Sequence, residues 1–450
     1  MDTGTAESVV LITVDCLRAD HVGRYGYDRP TTPNIDAFAE GATLFEHSYA
    51  NSPGTRWALQ TIHTGVHTGQ IDGIGIPDDV QSLAEAFADV GYATGGFAKN
   101  GFLTRDYHYD RGFGTFVGNS DFDSEQHPLK RVGKRLYDRV ESERVREAVF
   151  RPINNWLLST QGDTDGYRPA ITDEELCSLA LEWVAEQQSA DLPFFAWIHL
   201  MDAHTPYARW NEHLTALRGN TDIRHVINSH DEVNEGEEPP QAAIDAYDAG
   251  IRSADEQIGR VLATLDDGAT IAITGDHGEE FGRYGPFHAA SLASSMTQVP
   301  LIIRSSGMKS GRVGDYPAQH LDIAPTLAGA AGIDSPNVWQ GESLLTIERE
   351  GDEPLYHAVS DESGVRAGEW KLIRREAGEL YNTPHHGDDS EDVSDEHPEK
   401  RDELVVLLGE HEQWVAENRA GTAERDIDED TSTISDATRQ NLEELGYLET

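Results

Sequence analysis

Short apolar runs recur along the chain, and polar residues follow most of them. The runs VVLITVD (9–15), PFFAWIHLMD (193–202), TIAITGDHG (270–278) and PLIIR (300–304) are rich in β-branched or aromatic residues and show no alternation. Unbroken runs of this length are typical of strands buried on both faces of a parallel sheet. Helical stretches such as DVQSLAEAFADVG lie between them. The pattern therefore predicts an α/β fold with a mostly parallel sheet flanked by helices.

Two predicted helices begin at hydroxyl residues. Thr172 is followed three residues later by Glu175, a capping box, and an apolar stripe at helical spacing comes next. Thr55 precedes a second helix that stops at Gly65. Taken alone, Thr55 is interpreted as the cap of this helix, because Ser and Thr oxygens accept hydrogen bonds from first-turn N–H groups. The alternative is that Thr55 is a nucleophile.

Past residue 340 the elements become shorter. LYHAVSD, GVRAGEWKLIRR and GELYN predict antiparallel strands joined by tight turns, and DATRQNLEELGYL predicts a terminal helix. We therefore expect an α/β catalytic domain over 1–340, with a variable insert at about 118–170. A smaller C-terminal α+β subdomain is expected over 341–450.

The net charge of the chain indicates the salt concentration in which it works. There are 81 acidic and 35 basic residues, which gives a formal net charge of −46. Such a chain repels itself in dilute buffer, whereas molar salt screens the repulsion within about 3 Å. We interpret the composition as adaptation to a salty cytosol. Nucleic acids and anionic membrane surfaces are unsuitable partners for so acidic a protein.

Cysteine usage and hydropathy favour a cytoplasmic location. Cys16 and Cys177 are too few for a disulfide framework in 450 residues. No signal-like leader precedes the first strand, and no apolar run approaches the roughly 20 residues that span a bilayer. We therefore expect no membrane span.

One basic segment stands apart from the acidic chain. Residues 129–151 carry eight basic and four acidic side chains. We interpret the segment as an amphipathic surface helix satisfied by neighbouring carboxylates. The alternative is a rim that attracts an anionic substrate.

Three predicted strand ends carry residues able to do chemistry. Asp15 ends the first strand, Asp202 and His204 follow the second, and Asp276 and His277 follow the third. Ligands gather at the carboxyl ends of strands in open parallel sheets. Two carboxylates and an imidazole can hold a divalent cation, which lowers the pKa of a coordinated hydroxyl.

The helix that begins at Thr55 belongs to the same prediction. Backbone N–H groups at its start would face an anion bound beside the cation. Thr55 would then be a helix cap and a nucleophile at once. The sequence thus predicts a metal-assisted site.

Four ordered motifs resemble the landmarks of the sulfatase family, within the alkaline phosphatase superfamily. They are VDCLRADHVGRYGYDRPTTPNIDAFAEGATLFEHSYA, TGDHGEEFG, HLDIAPTLAGAAGI and WKLIRREAGELYN. The resemblance covers nearly the whole chain apart from stretches around 118–170 and 208–240. It implies an alkaline-phosphatase-like fold in a salt-adapted, haloarchaeal-type member.

The resemblance implies the metal ligands and the nucleophile. By this correspondence Asp15, Asp276 and His277 bind one divalent metal. The nucleophile lies ten residues before Gly65, which places it at Thr55, and its oxygen also binds the metal.

The resemblance also implies the residues that contact the substrate. Lys99 or Asn100 in FAKNGFL corresponds to a substrate-contacting Lys or Asn. His204 in MDAHTPY corresponds to a histidine near the ester. His288 in GPFHAAS corresponds to a residue that contacts the substrate or its leaving group.

Two departures from the family pattern affect the chemistry. Formylglycine sulfatases need Cys or Ser followed by Pro and Arg, whereas this chain has TRWAL at 55–59. Thr55 cannot be converted to the aldehyde, so the chain is predicted to be a non-formylglycine type. Cys16 replaces the second Asp of a common Asp–Asp pair, which favours Mn²⁺, Zn²⁺ or Mg²⁺ over a Ca²⁺ cage of six to eight oxygens.

Other polar residues near the motifs are interpreted as structural. They are an Arg18–Asp20 ion pair, His63 and His67 as packing or surface residues, His199 packed within its strand, and His320 as a structural residue.

The leading hypothesis is a metal-dependent hydrolase that cleaves a sulfate or phosphate ester through a covalent Thr55 intermediate. His204 and His288 would steady the ester or protonate the leaving group, and Lys99 would offset charge. A phosphate ester is favoured, because Thr55 lacks the second hydroxyl of an aldehyde hydrate. The substrate would be a small-molecule or a glycan- or lipid-derived anionic ester, and no oligomeric state is predicted. The alternatives are a phosphotransferase or mutase, and a non-catalytic binding protein that retains the fold.

Overall fold

The computed structural model describes residues 7–118, 171–205, 211–218, 239–282, 291–314, 316–347, 351–359, 362–375, 378–383, 389 and 391–422. The basic segment 129–151, His288 and the expected terminal helix at DATRQNLEELGYL lie outside the described residues.

Strands and helices alternate along the first part of the described chain. The strands are β1 (Val9–Val14), β2 (Thr43–Phe45), β3 (Ser48–Tyr49), β4 (Ile71–Asp72), β5 (Ala93–Ala98), β6 (Thr115–Val117), β7 (Phe194–Leu200), β8 (Thr270–Gly275), β9 (Leu301–Arg304), β10 (Gly311–Val313), β11 (Ala318–Gln319), β12 (Leu355–Val359), β13 (Glu362–Ala367), β14 (Trp370–Arg374), β15 (Glu379–Asn382) and β16 (Gly421–Thr422). The α-helices are α1 (Pro33–Ala39), α2 (Thr55–Thr64), α3 (Leu83–Asp89), α4 (Asp173–Ser189), α5 (Asn211–Arg218), α6 (Gln241–Leu262), α7 (Ser294–Thr297), α8 (Ile323–Ala330) and α9 (Pro398–Glu417).

Eight strands form the central sheet, in the order β10-β2-β9-β8-β1-β7-β5-β6. Strand β1 lies at its centre and runs parallel to β7 on one side and β8 on the other. Strand β9, the PLIIR run, pairs antiparallel with both of its neighbours. The prediction of a mostly parallel α/β sheet is confirmed. Hydrophobic pattern does not encode the direction of a buried strand, so the reversal of β9 was not predicted.

Both faces of the sheet are covered by helices. In β1, Val10 and Ile12 belong to one hydrophobic core, and Val9 and Leu11 belong to the other. Successive side chains of a strand point to opposite faces, so each face needs its own apolar layer. This double burial explains why the run shows no alternation between apolar and polar residues.

The capping box predicted at Thr172 is present. The Glu175 backbone N–H donates to Thr172 Oγ1 at 3.2 Å, and the Thr172 backbone N–H donates to Glu175 Oε2 at 2.9 Å. These two bonds satisfy N–H groups that have no partner within the helix, and α4 begins at the next residue.

A four-stranded antiparallel sheet follows the central sheet, in the order β12-β13-β14-β15. Helix α9 packs on it, and Leu404 and Leu408 of the helix join a small core with Val365, Leu372 and Leu380. The smaller antiparallel C-terminal unit predicted from the short elements is therefore present.

Asn51 joins the C-terminal sheet to the loop that leads into α2. Its Nδ2 donates to the Tyr356 carbonyl at 3.0 Å and to Gln319 Oε1 at 2.8 Å. Its Oδ1 accepts from the Leu321 backbone N–H at 3.1 Å, and its carbonyl accepts from the Ala358 N–H at 3.0 Å. The backbone just before α2 is thus held to β12 of the C-terminal sheet, to β11 and to Leu321.

Among the described residues, no helix is both long enough and apolar enough to cross a membrane.

Candidate active site

The carboxyl ends of β1 and β8 bring two carboxylates together. The strands are parallel neighbours, and Val14 pairs with Gly275. Asp15 and Asp276 therefore leave the sheet side by side, and both side chains are fully buried. The sequence pattern predicts these two residues at the same edge of the sheet, because parallel strands end together.

Cys16 lies in the turn directly after β1, next to Asp15. Its φ angle is +61°, in the left-handed region that few non-glycine residues adopt. Its backbone N–H donates to Asp276 Oδ1 at 3.1 Å, and its thiol donates to Asp15 Oδ1 at 3.1 Å. Burial, together with the nearby Asp15 carboxylate, raises the pKa of the thiol well above its usual range.

Thr55 faces these carboxylates from the start of α2. The residue that precedes the helix is Gly54, in an extended conformation, and no side chain caps the first turn. The prediction that Thr55 caps the helix is wrong, because Thr55 is already the first helical residue. Its Oγ1 instead lies 3.3 Å from Asp15 Oδ2 and 3.2 Å from His277 Nε2.

The hydrogen bonds of His277 leave one ring nitrogen available to Thr55. The Nδ1 atom donates to the carbonyl of Gly278 at 2.8 Å, because a carbonyl oxygen only accepts. In the neutral ring Nε2 then carries a lone pair, which points towards the Thr55 hydroxyl. This nitrogen can accept the hydroxyl proton or bind a cation.

The two aspartates differ in their electrostatic surroundings. Burial raises the pKa of Asp15, but the neighbouring His204, His199 and His277 outweigh it, so the pKa lies well below the usual value. Burial and the Asp15 charge raise the pKa of Asp276 well above its usual value. Two carboxylates this close cannot both be charged at low cost without a cation.

The donor set fits a divalent metal. Ligand atoms of Asp15, His199 and Asp276 all lie within 4.8 Å of one another, and so do those of Asp15, Cys16 and His277. Asp276 Oδ2 is buried without a hydrogen-bond partner. An orphaned carboxylate oxygen is costly in a protein interior unless a cation or donor satisfies it. The fit therefore rests on this oxygen and on the lone pair of His277.

Asn100 and Lys99 take different positions beside the site. Asn100 Nδ2 donates to Asp15 Oδ2 at 2.9 Å and so contacts the carboxylate directly. Lys99 Nζ lies 2.7 Å from Asp173 Oδ1 and 3.8 Å from Asp202 Oδ1, in a buried ion-pair cluster. Of the two candidates, Asn100 contacts a proposed metal ligand and Lys99 contacts acidic residues.

His204 lies buried just after β7. Its Nδ1 donates to the Thr205 carbonyl at 2.5 Å, and its ring lowers the pKa of Asp15. Asp202 accepts from Ser253 Oγ at 2.7 Å. Burial, and then Asp173, raise the pKa of Asp202 well above its usual value.

Most of the residues interpreted as structural make packing, ion-pair or backbone contacts. Arg18 donates to both oxygens of Asp20 at 2.8 and 2.7 Å, as the ion-pair interpretation requires. His63 packs its ring 4.2 Å from that of Trp197. The two others are buried and contact backbone carbonyls: they are His67, at 3.1 Å from Tyr356 O, and His320, at 3.0 Å from Gly275 O.

His199 is the residue that the sequence interpretation missed. It lies within β7, as expected, but its Nε2 reaches to 3.3 Å from Asp15 Oδ2. The signal was present, because a histidine that interrupts the otherwise apolar run FFAWIHL needs a polar partner.

The sequence of the chain is similar to those of known proteins. A family model described as Sulfatase matches residues 7–333. The chain is 25% identical over 420 residues to the choline-sulfatase of Rhizobium meliloti, covering 83% of this chain and 79% of the relative. It is 23% identical over 367 residues to the uncharacterized sulfatase YidJ of Escherichia coli, covering 75% and 70%.

Solved structures show the same fold. A phosphonate monoester hydrolase from Silicibacter pomeroyi is similar with a TM-score of 0.64 and 18% identity, over 92% of this chain and 96% of the other. A protein solved with its substrate D-glucosamine-2-N,6-O-disulfate is similar with a TM-score of 0.66 and 18% identity, over 94% and 100%.

Proposed function

Because this chain belongs to the sulfatase family of ester hydrolases, we propose that it cleaves an anionic ester through a covalent intermediate on Thr55. The single observation that carries the proposal is the position of the Thr55 hydroxyl. It lies at a helix N-terminus, within 3.3 Å of Asp15 Oδ2 and 3.2 Å of His277 Nε2. A hydroxyl used only for packing or capping would not need these two partners.

A divalent cation held by Asp15, Asp276, His277 and Thr55 is part of the proposal. When bound, such a cation lowers the pKa of a coordinated hydroxyl and neutralises charge on the transferring group. Mn²⁺, Zn²⁺, Mg²⁺ and Ca²⁺ are all candidates. The thiol of Cys16 stands where an additional carboxylate would serve Ca²⁺, which favours the first three.

The other residues of the site have proposed roles around the ester. The first backbone N–H groups of α2 would face the transferring anion. His204 and His288 would protonate the leaving group or steady the ester oxygens. Lys99 would offset negative charge from within its cluster with Asp173, and Asn100 would hold the Asp15 carboxylate in place.

The chemistry of the nucleophile favours phosphate over sulfate. The aldehyde hydrate of formylglycine has a second hydroxyl, which can expel sulfate by elimination. Thr55 has one hydroxyl, so its ester must be cleaved by in-line attack of water on the transferred group. This step is better suited to a phosphate mono- or diester. The similarity in fold to a phosphonate monoester hydrolase is compatible with that preference.

The experiment is a panel assay in molar salt with aryl phosphate, phosphodiester and sulfate substrates, each with several divalent metals. We expect the phosphate substrates to be cleaved faster than the sulfate. Denaturing the wild-type protein during turnover should trap phosphate on the peptide that contains Thr55. Thr55→Ala should abolish both turnover and trapping, because the attacking oxygen is gone.

Thr61→Ala provides a matched control on the same helix. Thr61 is also buried, but its hydroxyl contacts Thr68 Oγ1 at 2.9 Å, outside the site. This variant should keep its turnover. An active Thr55→Ala protein, or sulfate cleavage well above phosphate cleavage, would contradict the proposal. Transfer of phosphate to an added alcohol in preference to water would instead favour a phosphotransferase.

A further inference from the structure

His199 is a fully buried polar residue in the centre of the fold. It occupies the sixth position of β7, and both of its ring nitrogens have polar neighbours. Nδ1 lies 2.9 Å from Thr13 Oγ1, and Nε2 lies 3.3 Å from Asp15 Oδ2. Thr13 lies on the neighbouring strand β1, directly across from His199 in the parallel register. The ring therefore connects the interior of the sheet to the Asp15 carboxylate.

The partners of the His199 ring indicate which of its two nitrogens carries the proton. Trp197 Nε1–H donates to Thr13 Oγ1 at 3.0 Å, and an indole N–H only donates. The Thr13 hydroxyl proton then needs an acceptor, and His199 Nδ1 lies within reach. The Asp15 carboxylate only accepts, so Nε2 carries the proton in its contact with Asp15 Oδ2, and Nδ1 then accepts from the Thr13 hydroxyl.

We propose that His199 is a positioning residue that fixes the Asp15 carboxylate through a Trp197–Thr13–His199 hydrogen-bond chain. The contrast with His277 supports this assignment. His277 Nδ1 donates to the Gly278 carbonyl, which leaves the lone pair of Nε2 for the site, whereas His199 presents an N–H. Ligand atoms of Asp15, His199 and Asp276 lie within 4.8 Å of one another. However, an Nε2 atom that carries a hydrogen donates a hydrogen bond and does not bind a metal.

Three polar groups lie within hydrogen-bond distance of Asp15 Oδ2. Asn100 Nδ2 lies at 2.9 Å, and Thr55 Oγ1 and His199 Nε2 each lie at 3.3 Å. Donors of this kind hold a ligating carboxylate in one orientation, and their loss typically lowers metal affinity or activity by about 10- to 100-fold. The inference rests on the proposed function, since it concerns the carboxylate assigned to the metal.

Paired substitutions test the chain of hydrogen bonds. Thr13→Val keeps the shape of the side chain and removes the hydroxyl, whereas Thr13→Ser keeps the hydroxyl. His199→Gln keeps an N–H near the position of Nε2, whereas His199→Asn reaches Thr13 but not Asp15. We expect Thr13→Val and His199→Asn to weaken Mn²⁺ binding in calorimetric titration by about 10- to 100-fold and to lower kcat more than KM. Thr13→Ser and His199→Gln should bind Mn²⁺ within a few-fold of the wild type.

A double-mutant cycle adds a readout that general loss of packing would not give. In the His199→Gln background there is no imidazole tautomer for Thr13 to select. Adding Thr13→Val should therefore have little further effect on Mn²⁺ binding. His63→Asn is the matched control, because His63 is a second buried histidine packed on Trp197. It should retain Mn²⁺ affinity even if it lowers the melting temperature.

Three results separate the possibilities. Equal Mn²⁺ affinity in Thr13→Val and Thr13→Ser, or in His199→Gln and His199→Asn, would overturn the inference. Complete loss of bound Mn²⁺ in His199→Gln would also overturn it, by making His199 a ligand. A wild-type protein that neither binds Mn²⁺ nor cleaves an ester would contradict the proposed function itself.

Discussion

Neutralising Asp276 should make the metal-free protein more stable while it removes the metal. Oxygens of Asp15 and Asp276 lie within 4.8 Å of each other, and Asp276 Oδ2 has no hydrogen-bond partner. Two unit charges at this separation repel by about 3 kcal/mol at an effective dielectric constant near 20. Protonation relieves part of this repulsion, because burial and Asp15 raise the pKa of Asp276. The figure is therefore an upper value for Asp276→Asn.

The assay is thermal denaturation after treatment with a chelator, and again with added metal. Unfolding entropy per residue implies a shift of about 1 °C per kcal/mol for 450 residues, so the metal-free Asp276→Asn protein should melt up to about 3 °C higher. Saturating metal at about 100 times Kd should stabilise the wild type by about 2.7 kcal/mol. The variant should gain nothing from metal.

Asp255→Asn is the control for burial of a carboxylate. Asp255 is also fully buried, but its Oδ1 accepts from the Ile35 backbone N–H and its Oδ2 accepts from Asn34 Nδ2, each at 2.8 Å. Its replacement should lower the melting temperature, because an amide nitrogen would face a donor. A metal-free Asp276→Asn protein that melts below the wild type, or one that still binds metal, would refute the electrostatic reasoning.

Four further predictions concern the fold and its surroundings. Gly278→Ala should cost about 3 kcal/mol or more in thermal denaturation, because its Cβ would lie 1.8 Å from the Ser295 carbonyl, whereas Gly268→Ala meets no atom within 4 Å. Burial lowers the pKa of His63 to about 3, below its unfolded value, so its contribution to stability is lost as pH falls from 6.5. In urea denaturation, the free energy of unfolding should fall between pH 7 and pH 4 by about 3 kcal/mol less in His63→Phe than in the wild type. The net charge of −46 should make the fold melt lower in tens of millimolar KCl than in molar KCl, and an unchanged circular dichroism melt would contradict salt adaptation. If 129–151 attracts an anionic substrate, neutralising its basic side chains should raise KM and leave kcat nearly constant in steady-state assays.

The position of the site could be predicted because it depends on the sheet. Strand pattern located β1 and β8, and parallel strands necessarily bring the residues after them to one edge. Asp15, Asp276 and His277 therefore came together from pattern alone. Thr55 was predicted to join them because it lies at the start of a predicted helix and because the motifs resemble those of sulfatases.

The remaining details depend on geometry that local sequence does not specify. A hydroxyl residue at a helix start can be the cap or the first helical residue, and only the extended backbone of Gly54 decided between them for Thr55. The direction of β9 depends on pairing with β2 and β8. The partners of His199 are Thr13 of β1 and Asp15 just after it, which lie 186 and 184 positions away along the chain.

The junction at Asn51 has a consequence for how relatives of this protein can diverge and be recombined. Three of its four bonds reach backbone atoms, at residues 321, 356 and 358, and only the bond to Gln319 reaches a side chain. The bonds from Asn51 to β12 therefore do not depend on which side chains β12 carries, whereas they do depend on Asn51. A chimera that receives the C-terminal sheet of another sulfatase should keep the approach to α2 if it preserves the backbone path of β12. Replacing Asn51 would remove these bonds even in an otherwise native chain.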